Sequence, residues 1–205
     1  MADKRVRIGF IGAGGNTRSR HIPGFKALDN IELVTVANRT PASSERVAKE
    51  FGISQIAADW KAVLADPQVD AVCIGTWPYT HAQMTIAALE AGKHVLCEAR
   101  MAAGSSEARD MLRVSREYPG LVAQIVPAPH TLGIDQSIRA LIGGGYVGRL
   151  VTLDARISTG SFATPDSPLH WRQDRDMSGN NIMNMGIWYE ALMRWVGPAA
   201  SVSAV

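Results

Sequence analysis

The stretch Val6-Arg7-Ile8-Gly9-Phe10-Ile11-Gly12-Ala13-Gly14-Gly15-Asn16-Thr17 decides the fold. Its first six residues form a nearly continuous apolar run, which suits a strand buried on both faces. A glycine-rich turn follows, and a helix opens after it. Gly12 permits the tight turn, and Gly14 lets the backbone approach a pyrophosphate seated on the helix N-terminus. Thr17 stands where a third glycine is usual, so the fingerprint is slightly degenerate. A glycine-rich βα turn can exist without a ligand; the strand–turn–helix setting is what points to a dinucleotide site.

Working outward, Ile31–Ala37, Ala71–Ile74 and His94–Cys97 are further short apolar runs. Helical stretches lie between them. Thr40-Pro41 reads as an N-cap with proline at the first helical position. Thr80-His81-Ala82-Gln83 reads as a capping box, with the helix continuing to Gly92. Alternation of this kind predicts an α/β fold, a Rossmann-type doubly wound and mostly parallel sheet.

The period changes near Gly148. From 150 to 158, apolar Val151, Leu153, Ala155 and Ile157 alternate with Thr152, Asp154, Arg156 and Ser158, as in a strand of an antiparallel sheet with one wet face. The expectation is therefore a dinucleotide-binding domain over 1–126, followed over 127–205 by the start of an α+β domain. Residues 158–179 read as loop, and Ile182, Met185, Trp188, Tyr189, Leu192, Met193 and Val196 fall at helical spacing up to Gly197-Pro198. Residues 201–205 resemble a strand just begun. Two strands and a helix do not make a stable sheet domain. The chain thus reads as part of a longer protein, or as one needing another chain to cover its second sheet; the first reading is favoured.

Over 205 residues the net charge is only +2, which argues against nucleic acid or an anionic membrane as partner. The N-terminus lacks a signal-peptide apolar stretch, and no run approaches membrane-spanning length. A cytoplasmic protein with buried, reduced Cys73 and Cys97 is expected. No metal site is assigned.

The residue ending the second strand selects the cofactor. Here the run is Asn38-Arg39-Thr40. Asparagine removes the charge that would repel a 2′-phosphate, and Arg39 offers a planar cation to it. Thr40 starts a helix whose free N–H groups favour an anion nearby. NADP(H) is therefore expected over NAD(H); the competing reading has Arg39 stacking on adenine or pointing to solvent.

These residues resemble the Gfo/Idh/MocA oxidoreductases, the family of glucose–fructose oxidoreductase and inositol dehydrogenase. The likeness runs through the glycine turn, Glu50-Phe51-Gly52-Ile53, Asp70-Ala71-Val72-Cys73-Ile74, Gly92-Lys93-His94-Val95-Leu96-Cys97-Glu98 and Gly148-Arg149-Leu150. The resemblance implies a second domain on a large, open, mostly antiparallel sheet, much of it absent here, and a homo-oligomer formed through that sheet when complete. The family's Thr-Pro-Asn-x-x-His motif appears as Thr76-Trp77-Pro78-Tyr79-Thr80-His81. By resemblance Thr76, Trp77 and His81 line the nicotinamide-ribose side, although His81 could equally bond backbone at its helix start. The cofactor-binding set is thus Gly12, Gly14, Gly15, Asn16, Asn38, Arg39, Thr40, Thr76, Trp77, His81 and Glu98.

Oxidation of a carbinol requires a base for the hydroxyl proton. The resemblance implies a lysine in a Glu-Lys-Pro motif and a histidine in an Asp-x-Gly-x-His helix. This chain has Glu98-Ala99-Arg100 and Asn184-Met185-Gly186-Ile187-Trp188. Neither Ala99 nor Trp188 accepts a proton, although 184 and 188 share a helix face. Three readings stay open. The acid/base group has moved, with His130, His170 and Tyr189 as candidates beside Asn184; or the reaction needs no strong base, or is redox-neutral; or the chain binds NADP without turnover as a regulatory or accessory subunit. Under the first, a small hydroxyl- or carbonyl-bearing, sugar-like substrate is expected by family analogy. Arg100 could meet an anionic substrate or be an ordinary surface arginine. Gly143-Gly144-Gly145 reads as a helix stop, and Met177, Met183, Met185 and Met193 as core filler.

Overall fold

The computed structural model describes residues 5–158, 166–179 and 183–203. The chain divides into two compact units, residues 1–126 with 174–180 and residues 127–173 with 181–205.

The first unit is built on six strands: β1 (Val6–Ile11), β2 (Ile31–Ala37), β3 (Gln55–Ile56), β4 (Ala71–Ile74), β5 (His94–Cys97) and β6 (Ala123–Ile125). They form one sheet in the order β3-β2-β1-β4-β5-β6, and every pairing is parallel. The order reverses between β1 and β4, and such sheets bind ligands beyond the carboxyl ends of the strands at that point. This is the Rossmann-type arrangement expected from the apolar runs.

Both faces of the sheet are covered, which is why the runs are apolar throughout. On one face Phe10, Val36 and Cys73 pack with Ile22 of α1 (Ile22–Lys26) and with Val47 and Ala48 of α2 (Pro41–Phe51). On the other, Ile11, Val72, Ile74 and Cys97 pack with Val63 of α3 (Trp60–Ala65), Ala88 and Leu89 of α4 (Pro78–Glu90), and Met111 and Val114 of α5 (Ser105–Glu117). Cys73 and Cys97 are free and buried, one in each layer. Burial pushes the Cys97 thiol up to about 12, so it stays protonated.

Several local expectations are corrected. The fourth helix begins at Pro78, after Trp77, and not at a Thr80 capping box. Proline presets the first helical turn, and the Thr80 hydroxyl instead donates to Thr76 Oγ1 at 2.7 Å. The expected loop 158–179 holds a 3₁₀ turn, Trp171–Gln173, and a short helix α7 (Arg175–Ser178) capped by Asp174; residues 159–165 lie outside the described ones.

The second unit contains α6 (Asp135–Gly143) and α8 (Met183–Val196). Residues 150–158 form no strand, and the apolar members of their alternation are exposed, Val151 by 81%. A strand needs a ladder partner for its backbone groups, and none is present among the described residues. The same holds for 201–203, while 204–205 lie outside the described residues. Met185, expected as core filler, is 66% exposed. No helix among the described residues is long and apolar enough to cross a membrane.

Candidate functional site

The glycine turn takes its shape from contacts a side chain would prevent. Gly12 has φ +79°, and a Cβ there would lie 2.5 Å from Thr76 Cγ2 and 2.9 Å from Thr76 N. Only glycine satisfies both demands. Thr17, at the third-glycine position, is 1% exposed and packs on Gly75, where a Cβ would also come within 2.6 Å of Gly12 O. The close approach of helix to sheet is therefore supplied by Gly75 rather than by residue 17. At Gly14 the nearest atom to such a Cβ is Gly75 O at 3.9 Å, and at Gly15 nothing lies within 4 Å. That face is open, as a backbone-bound pyrophosphate requires, and the helix beyond begins with N–H groups that lack intrahelical partners.

A cleft of about 630 Å³ opens at the ends of β1, β2 and β4. Gly12, Gly14, Asn38, Arg39, Thr40, Thr76 and Trp77 line it, seven of the residues singled out in the sequence. Asn38 Oδ1 accepts the Ala13 N–H at 2.7 Å and its amide donates to Ser43 Oγ at 3.0 Å. One neutral side chain thus ties the glycine turn to the start of α2. Thr40 caps α2, accepting from Ser43 N–H at 3.4 Å. The Arg39 guanidinium lies 5.4 Å from the centre of the Trp77 ring. Arg46, which the sequence reading missed, lines the same cleft with Ser43. Their i,i+3 spacing on α2 was the signal that could have found it. The residues present fit a nicotinamide dinucleotide: an open glycine face, a helix start, Arg39 just after β2 and Arg46 on α2.

Other predicted residues face inward. His81 is fully buried, with Nδ1 2.6 Å from Arg100 O and Nε2 3.1 Å from Thr76 O. It ties the β4 loop to the β5 loop and is not a cleft wall. Burial pushes its imidazole down, against those two carbonyl contacts, and so favours the neutral ring. Glu98 leaves the end of β5 and is bound by protein: Oε1 accepts from the Asn16 amide and lies 2.5 Å from His21 Nε2, and Oε2 accepts from the Ala99 N–H at 3.1 Å. Burial alone would push the carboxyl up, but the bonds from His21 and Asn16 hold it below the usual glutamate value. Ala99 is exposed and carries no proton acceptor. The sequence reading missed His21 altogether.

In the second unit, the His130 ring stacks on Trp188, with centroids 5.8 Å apart and planes 15° apart. The loop carrying it is fastened on both sides. Ala128 N–H donates to Glu190 Oε2 at 3.2 Å, and Arg194 donates to Thr131 Oγ1 at 2.9 Å. Arg194 also pairs with Asp135 at 2.7 Å, and Trp195 Nε1 donates to the same carboxylate at 2.6 Å. Asp135 is 7% exposed. Its burial would push it up, but Trp195, Thr131 and Arg194 hold it below the usual aspartate value. His170 instead accepts the Arg172 N–H at 3.2 Å on an exposed turn. Tyr189 is 44% exposed on α8, and the Asn184 side chain lies outside the described residues.

A family model described as an oxidoreductase family with an NAD-binding Rossmann fold, Gfo/Idh/MocA, matches residues 6–124. The chain is 27% identical over 179 residues to a levoglucosan dehydrogenase of Pseudarthrobacter phenanthrenivorans, covering 85% of this chain and 45% of that protein. An oxidoreductase domain protein from Kribbella flavida superposes with a TM-score of 0.80 at 26% identity, over 95% of this chain and 54% of that one. A mutant 3-ketoreductase from Actinomadura kijaniata, in complex with TDP-benzene and NADP, gives 0.64 at 27% identity, over 71% and 46%. The chain spans about half the length of the curated relatives it matches.

Proposed function

The chain belongs to the Gfo/Idh/MocA oxidoreductase family, and from that premise we propose that it binds NADP(H) in preference to NAD(H) and serves oxidation or reduction of a small, sugar-like hydroxyl or carbonyl compound. The observation that carries this reading is that neutral Asn38 and cationic Arg39, just after β2, and Arg46 of α2 line the same cleft. A 2′-phosphate carries about −1.5 to −2 charges at neutral pH and suits a planar guanidinium. An acidic residue at position 38 would repel it. The names of the relatives, a levoglucosan dehydrogenase and a 3-ketoreductase, support a sugar-like substrate.

A bound nicotinamide dinucleotide supplies or accepts the hydride. The chain must supply the rest: Gly14 and Gly15 would leave room for the pyrophosphate, Arg39 would meet the 2′-phosphate, and a side chain would move the substrate's proton. Ala99 cannot do so. His130 is the group we assign to it. The resemblance puts the family's histidine at position 188, and the His130 ring lies flat against the Trp188 ring there. The indole then serves as a platform for an imidazole arriving from another loop. An imidazole is suited to this because one ring nitrogen can accept a proton while the other donates one.

The test is a panel of polyols, sugars and carbonyl compounds with NADP⁺ or NADPH, on the protein at its natural length. NADP(H)-dependent turnover is expected. Tight NADPH binding without turnover across the panel would instead identify a catalytically silent, cofactor-binding subunit.

A further inference from the structure

The Glu98 carboxylate, at the glutamate position of the Glu-Lys-Pro motif, sits beside the start of the helix that follows the glycine turn. Asn16, the second residue after Gly14, touches it through the side-chain amide. A pyrophosphate bound at that helix start would therefore lie within one side chain of a carboxylate that its donors hold below the usual glutamate value. Its compensating partner is His21. The ring nitrogen Nε2 is 2.5 Å from Glu98 Oε1, and the two side chains are only 14% and 13% exposed.

The local helix geometry explains how both donors reach one oxygen. Residues Thr17–His21 form a π-helical turn, closed by the Ile22 N–H on Thr17 O. In a regular α-helix, residues five apart point in different directions; the wider i→i+5 turn brings them towards one side. Asn16 and His21 are five apart. An ionised carboxylate only accepts, so Nε2 carries a proton toward Glu98 in either charge state, and a further proton from solvent goes to Nδ1.

We propose that His21 is a cofactor-affinity residue acting through Glu98: as an imidazolium it cancels the carboxylate's charge next to the pyrophosphate, so that dinucleotide binding is coupled to proton uptake at His21. The inference rests on the cleft taking a nicotinamide dinucleotide. Arg100, whose charge acts on His81 beside that of Glu98, stays charged at any pH near neutral and adds no pH dependence. His81, Cys73 and Cys97 also interact with the Glu98 charge. Burial favours the neutral form of each, so none of them neutralises the carboxylate. On the turn itself stand Arg18, paired with Glu50, and Arg20, both permanently charged.

NADH is the cleaner probe, because the 2′-phosphate of NADPH itself titrates near pH 6. Dissociation constants for NADH are measured by fluorescence from pH 5.5 to 8.5 on the parent protein, His21→Gln and Glu98→Gln. The parent should weaken by about tenfold across this range, which corresponds to one pKa unit of coupling. His21→Gln keeps a side-chain N–H donor but cannot take up a proton, and it should vary less than about twofold. In Glu98→Gln the ring can still take up a proton but lacks the carboxylate that favours the imidazolium, so the slope should persist and move to lower pH, which preserves the test if His21→Gln does not fold. A flat parent profile, or parent and variant profiles that run parallel, overturns the proposal. Equal NADPH and NADH constants with a sloping parent profile would instead defeat the NADP preference and leave the role of His21 standing.

Discussion

The end of β2 and the end of β5 are only a few strands apart in one sheet, yet they spend their polar groups differently. At β2, Asn38 uses its amide to brace the glycine turn, and Arg39 and Arg46 line an open cleft. At β5, the Glu98 carboxylate is taken up by Asn16, His21 and the Ala99 N–H, and the Arg100 carbonyl is met by His81. Ala99, between them, offers a methyl group. The first region presents chemistry to a ligand, while the second uses its own to hold a loop. Under the proposed function, binding a dinucleotide and moving a proton would therefore be separable tasks, carried by different residues.

The sharpest way to break that separation is at His130. His130→Ala should lower kcat by about 100- to 10,000-fold, the usual contribution of a positioned acid/base group, with NADPH affinity unchanged within about twofold. His170→Ala should leave kcat within about threefold, since its imidazole serves a turn. Steady-state rates beside NADPH titrations check both. Equal losses at the two histidines would end the assignment.

Next in size is the turn itself. Gly12→Val forces a β-branched side chain into a positive-φ position and against Thr76. It should weaken NADPH and NADH alike by about 100-fold or more and cost about 1–3 kcal/mol of stability. Titration together with thermal unfolding distinguishes it from the next substitution, which is selective. Arg39→Ala should weaken NADPH by about 10- to 100-fold, as expected for a lost charge-assisted bond, and NADH by less than about threefold.

The smallest effect concerns stability. Glu98 is held below the usual glutamate value in the folded chain. Its contribution is therefore fully present above the unfolded value of about 4.3 and is lost as pH falls through the lowered native one. Glu98→Gln should lower Tm by about 2–5 °C at pH 6, and the gap should close towards pH 3. A gap that widens with acid would reverse the sign.

Much of this contrast was legible in the sequence. The runs at 6–11, 31–37, 71–74 and 94–97 could hardly be other than buried parallel strands, and Gly12 and Asn38-Arg39 fall at spacings the phosphate site demands. Most of the cleft wall could be read because each part is local, its residues clustered just after three strands, β1, β2 and β4. What stayed hidden is non-local. His21 and Glu98 are 77 positions apart, and the π turn that joins them has no mark of its own in Thr17-Arg18-Ser19-Arg20-His21. The start of α4 was misplaced because a plausible capping box at Thr80 competed with Pro78, and the proline determined the first turn. The alternation at 150–158 was read correctly as a pattern and wrongly as a formed strand, since pairing depends on a neighbour the pattern does not contain.

What the β2 end recognises decides the cofactor. Side-by-side fluorescence titrations with NADPH and NADH at pH 7 test it most directly. The groups at Asn38, Arg39 and Arg46 predict that NADPH binds at least about tenfold more tightly, a difference of about 1.4 kcal/mol. Equal dissociation constants, or tighter NADH, would contradict it.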